Sequence, residues 1–171
     1  RRPPRSTLDR SSAASDVYKR QPFDLANVVA GFNFDRVLPT GKTKDMAVIG
    51  YGASELEDYL EAELEKQGRY INPDPNPEKG YFYRSDHISF AKKGVPVLYS
   101  DDGFDLEEGG IEEGFKEIYD YTNFRYHGVN DEYDPSWNLE GFEQTIDTIF
   151  NISLDLSNSS DWPNWYLSLI H

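Results

Sequence analysis

The chain has 171 residues, a net charge of −14 and no cysteine. That charge opposes binding to nucleic acid or to an anionic membrane surface, both of which draw on Lys and Arg; without thiols there is no disulfide framework, and any metal must sit on His and carboxylates. No apolar run approaches the roughly 20 residues that span a bilayer, while 12 Tyr, 10 Phe and 3 Trp predict one domain whose core leans on aromatic packing.

Residues 1–21 carry six basic side chains against Asp9 and Asp16 and show no apolar periodicity, which predicts a disordered tail. This stretch resembles translated sequencing-adaptor sequence, as does Leu167 to His171 (LSLIH), so both ends are expected to be artefactual and the body to span 22–166. Ala26 to Asp35 (ANVVAGFNFD) has the β-branched and aromatic content of a strand, and Asp45 to Tyr51 (DMAVIGY) reads as a buried one. Ser54 to Glu57 has the form of a capping box, and Tyr59, Leu60 and Leu64 follow at helical spacing, with Gly68 as the stop. Asn72 to Gly80 holds three prolines and predicts a loop. A short helix is expected from about Asp86 to Lys93, then a strand over Val95 to Ser100, then an acidic loop. The final helix is expected from about Asn138 to Leu156, burying Leu139, Phe142, Ile146, Ile149 and Ser153 or Leu154. Strands alternating with helices give an α/β fold class: a partial three-layer sandwich, with a mostly parallel sheet and helices on its faces.

Two histidines lie outside the tails. His127 sits in a loop rich in oxygen ligands, Tyr126 to Asp134, with Asp131 placed to fix its tautomer. Asp35 ends a strand, where parallel sheets put their ligands, though a turn aspartate would stand there equally well. In Tyr81 to Phe90, polar residues alternate with aromatics at a helix start, and Ser85 or Asp86 reads either as an N-cap or as part of a site.

Three segments in order, NFD after a strand, YRSDHISFAKKGVPVLY, and YHGVNDEYDP before a long helix, resemble the co-catalytic di-zinc aminopeptidases related to glutamate carboxypeptidase. The resemblance covers about Asn27 to Tyr166, and DWPNWY (Asp161 to Tyr166) is similar to exported bacterial members, which implies secretion or a periplasmic place. It implies a zinc exopeptidase fold and hydrolysis of N-terminal residues from peptides. Asp35 and His127 become zinc ligands, Tyr126 a catalytic oxyanion contact and Asp131 a support for His127. Phe82, Ser85, Asp86 and His87 become the substrate side. The family's mechanism has two zinc ions share and activate a water.

The family's His-x-Asp and Glu-Glu ligands have no counterpart ahead of Asp35. The chain is therefore expected to be the C-terminal half of the domain, inactive alone, with the N-terminal half as its missing partner. Glu107-Glu108 and Glu112-Glu113 follow Asp35 and read as a solvated acidic face. The alternatives are a catalytically dead binding or receptor-like member of the same fold and an acidic calcium-binding domain. Asp101, Asp102, Asp105, Glu107 and Glu108 lack the EF-hand spacing that the second of these would need. A dinucleotide site at Ile49 to Ser54 is opposed by Glu55, where the third glycine would stand.

Overall fold

A computed structural model describes residues 24–36 and 38–166; the tails expected over 1–21 and 167–171 lie outside the described residues. Four strands, β1 (Gly31–Asn33), β2 (Asp45–Val48), β3 (Tyr70–Pro73) and β4 (Val97–Asp102), form one sheet in the order β1-β4-β2-β3. β1 runs parallel to β4 and β2 parallel to β3, whereas β2 and β4 are antiparallel. The helices are α1 (Leu56–Lys66), α2 (Ile88–Ala91), α3 (Gly110–Phe124) and α4 (Glu140–Ser157).

Side chains alternate across a strand, so each strand serves two layers. Met46, Val48 and Leu98 enter one cluster with Leu56, Leu60 and Leu64 of α1 and Ile152 and Leu156 of α4. Val97 and Tyr99 enter the other, with Ile49, Ala53, Phe82, Ile88 and Ala91. The leucines of α1 recur every fourth residue and are fully buried; each contributes about 1.5–3 kcal/mol by leaving water. Gly68 closes α1 at φ 71°, where a side chain would be strained.

Several sequence expectations are corrected. The capping box is half formed: Glu57 accepts from the backbone of Gly52, Ala53 and Ser54, while Ser54 Oγ donates to the Val97 carbonyl, so no side chain caps α1. The first strand shrinks to Gly31–Asn33, behind a 3₁₀ turn at Leu25–Asn27. The proline-rich loop begins as β3, an edge strand that tolerates Pro73 at its end. Neither Ser85 nor Asp86 caps α2, whose flanking residue is His87. The acidic loop turns at Gly110 into the 15-residue α3.

The buried face of α4 is also different. Gly141, Thr145, Thr148, Ile152 and Leu156 face inward, and Phe142, Ile146, Phe150 and Leu154 are exposed. The inward face meets polar and close-packed surface: Thr145 donates to Asp102 at 3.0 Å, and a Cβ on Gly141 would strike the Gly41 carbonyl. At Gly141 and Thr145 a large apolar side chain does not fit, whereas further along the helix Ile152 and Leu156 enter the leucine-rich core.

Candidate active site

The parallel register sets Asn33 beside Tyr99, and Asp35, two residues on, turns to the same side of the sheet as Asn33. Asn33 Nδ2 donates to Ser85 Oγ at 3.0 Å, and Ser85 Oγ donates to Asp35 Oδ2 at 3.0 Å. Tyr99 Oη donates to that same oxygen at 3.1 Å. Burial, with the charges of Asp101 and Asp35, pushes the Tyr99 phenol upward, so it stays a proton donor.

Asp101, two residues along β4, faces the same side. Burial raises its carboxyl to about 6, against the pull of Arg36, whose Nη2 lies 3.5 Å away. Asp101 Oδ1 and Arg36 Nε are buried without hydrogen-bond partners among the described residues. His87 packs its ring against Phe82 and Tyr99, with centroids 4.7 and 4.9 Å apart. Burial lowers it to about 4, the nearby Phe82 backbone and Asp35 pulling the other way, and neither ring nitrogen completes a hydrogen bond.

Of these groups Asp35, Arg36, Tyr99 and Asp101 border a cavity of about 270 Å³. The sheet gives it Asp35, Tyr99 and Asp101, α3 gives Phe115 and Ile118, and the segment after α3 gives Tyr126. Phe115 stacks on Phe104 at 5.2 Å, which holds α3 to the end of β4. Asp35 and Tyr126, 91 positions apart, thus meet across one space.

The sequence model of peptidase family M28 matches residues 10–153. The chain belongs to peptidase family M28. The match starts inside the basic N-terminal stretch and ends before DWPNWY. No curated protein and no solved structure matches the chain. Membership makes it a metallopeptidase domain of a family of peptide-bond hydrolases that are generally zinc-dependent.

Within this M28 domain the expected site residues divide. Asp35 and Tyr126 line the cavity, whereas His127 is not among its lining residues. The imidazole of His127 instead lies on the Tyr126 ring, with centroids 3.9 Å apart and planes 20° off parallel. Asp131 does not hold that imidazole: one of its oxygens accepts from the His127 backbone N–H and the other from Tyr121 Oη, both at 3.0 Å. Of the expected substrate side, Ser85 is spent on Asp35 and His87 is buried behind Tyr99, while Asp86 is exposed. Phe82 borders a second, neighbouring cavity.

A catalytic zinc needs three protein ligands beside its water. Among the described residues no group of three or more His, Cys, Asp or Glu converges on one point. The described side chains therefore do not fit a bound zinc as they stand, although the Asp35 carboxylate is exposed and held at one oxygen by two hydroxyls.

The sequence reading gives no role to Tyr99 and counts Asp101 only among the carboxylates of an acidic calcium-binding loop. VPVLYS (Val95 to Ser100) reads as a buried strand followed by an acidic loop, whereas the strand runs on to Asp102, and Val97, Tyr99 and Asp101 recur at its period, which was the available signal.

Proposed function

We propose that this chain carries one side of the active site of a zinc-dependent aminopeptidase, and that a segment outside it supplies the rest. The meeting of Asp35 and Tyr126 across one cavity supports the reading. In the complete domain Asp35 would give a carboxylate ligand to zinc and His127 an imidazole ligand. Tyr126 donates from its phenol to the oxygen that becomes negative as the peptide carbon turns tetrahedral, a contact made chiefly in the transition state. Ser85 and Tyr99 keep the Asp35 carboxylate in one orientation. Peptides with a free N-terminus are the substrates.

The remaining metal ligands and the general base would belong to a part ahead of Asp35. The chain alone is thus expected to bind zinc weakly and to release no chromophore from amino-acid anilides. Joined to, or mixed with, the N-terminal half of such a domain, it is expected to gain zinc affinity and hydrolysis together. Metal-dependent turnover by the 171-residue chain alone would overturn the division of ligands.

A further inference from the structure

A second cavity, of about 310 Å³, lies beside the first. The two share Ile49 and Asp74, which stand in the lining of both. The loop from Asp74 to Tyr83 walls both spaces, turning Asn76 and Tyr81 to the first and Pro77, Phe82 and Tyr83 to the second. The two cavities are neighbours that adjoin at Ile49 and Asp74.

The second cavity is bounded by rings. Phe82 forms its buried side, while Tyr51 and Tyr83, 55% and 63% exposed, stand uncovered beside it. Gly50 permits this: it has φ 78°, and a Cβ there would collide with the Phe82 ring. The wall is fixed in advance, because the N–H groups of Gly52 and Ala53 donate to the Glu57 carboxylate at 2.7 and 2.8 Å. A preformed cavity with aromatic sides takes an apolar side chain without first having to order itself.

We propose that this second cavity receives the side chain of the peptide residue that follows the scissile one, and that it selects large apolar or aromatic side chains. The proposal rests on the peptidase reading of the first cavity. An extended peptide sends successive side chains to opposite sides at a rise of about 3.3 Å per residue. A chain crossing the divide at Ile49 and Asp74 therefore places its first residue beside Asp35 and its second among Tyr51, Phe82 and Tyr83.

The test begins with binding, which needs no turnover. The isotope-labelled chain is titrated with N-acetyl-phenylalaninamide and, separately, with N-acetyl-glycinamide, and amide shifts are followed by NMR. The phenylalanine probe should move signals within 49–53 and 74–83 and the glycine probe should not. The Tyr51→Ala/Tyr83→Ala double variant, changed only at exposed positions, should bind the phenylalanine probe about five- to tenfold more weakly. Shifts elsewhere, equal response to both probes, or unchanged affinity in the double variant would overturn the proposal.

In the chain joined to its N-terminal half, kcat/KM for Leu-Phe should exceed that for Leu-Gly about tenfold, and the double variant should erase the difference. Equal hydrolysis of both dipeptides also overturns the proposal and leaves the peptidase reading standing. Absence of any hydrolysis counts against the peptidase reading, and the titration then decides the cavity by itself.

Discussion

Alternate residues of β4 face two different worlds. Leu98 enters a closed layer of leucines, a methionine and an isoleucine between the sheet, α1 and α4. Val97, Tyr99 and Asp101 face a layer that starts apolar at Val97 and ends at an open cavity with a carboxylate lacking a partner on one oxygen. One strand of six residues therefore carries both the stability of the domain and the polar floor of its candidate site. The difference shows why a fully buried strand can still be chemically divided: burial fixes position, and the phase of the residue decides which environment it meets.

The sharpest way to break the comparison is to hollow the closed layer. Leu60→Ala or Ile152→Ala, both in that layer, should each cost about 2–5 kcal/mol in urea unfolding, since the cavity left behind adds to the lost transfer energy. If either costs under about 1 kcal/mol, the closed layer is not what holds the domain together.

On the other side, His87 and Asp101 should give opposite slopes of stability against pH. The unfolded chain protonates His87 at 6.5 while the buried ring resists until about 4, so over that window unfolding takes up a proton and stability rises with pH. The native Asp101 keeps its proton up to about 6 while the unfolded chain releases it at 3.8, so its contribution falls as pH rises through that window. Asp101→Asn should steepen the rise between pH 4 and 6, and His87→Phe should flatten or reverse it, each by roughly 1–3 kcal/mol across the window. Urea unfolding in chelator-containing buffers from pH 4 to 7 reads both. Parallel slopes in the two variants would refute the assignment.

The smallest effect should come from the outer face of α4. Ile146→Ala, at a half-exposed position, should change stability by less than about 0.5 kcal/mol, against the several kcal/mol that Ile152→Ala costs on the inner face. Equal losses would mean that the helix is rotated from the orientation described.

That contrast in α4 also shows where the sequence was readable. α1 could be read because its leucines repeat at the helical period and Gly68 ends it, so local pattern and packing agree. α4 could be placed but not oriented: the pattern of large apolar residues pointed to Phe142 and Ile146, while its buried face is set by Thr145 meeting Asp102 and Gly141 meeting Gly41, contacts that exist only after folding. α3 was hidden by its two glycines and acidic start. Gly114 is there because a Cβ would strike the Phe104 carbonyl, and Phe115, Ile118 and Thr122 then line the cavity at helical spacing. The roles given to Asp35 and Tyr126 come from resemblance to known motifs, and the structure adds that both line one cavity, whereas the place of Tyr99 and Asp101 beside Asp35 needed the β1–β4 register.

His127 stands at φ 58°, in the left-handed region that side chains other than glycine seldom occupy. Its N–H is anchored on Asp131, and its ring lies flat on that of Tyr126. The phenol and the imidazole therefore share one face, and neither ring turns away from the other without giving up that contact. On the function proposed for this cavity, the direction in which the Tyr126 phenol faces Asp35 and the bearing of the neighbouring imidazole would be set by one shared contact.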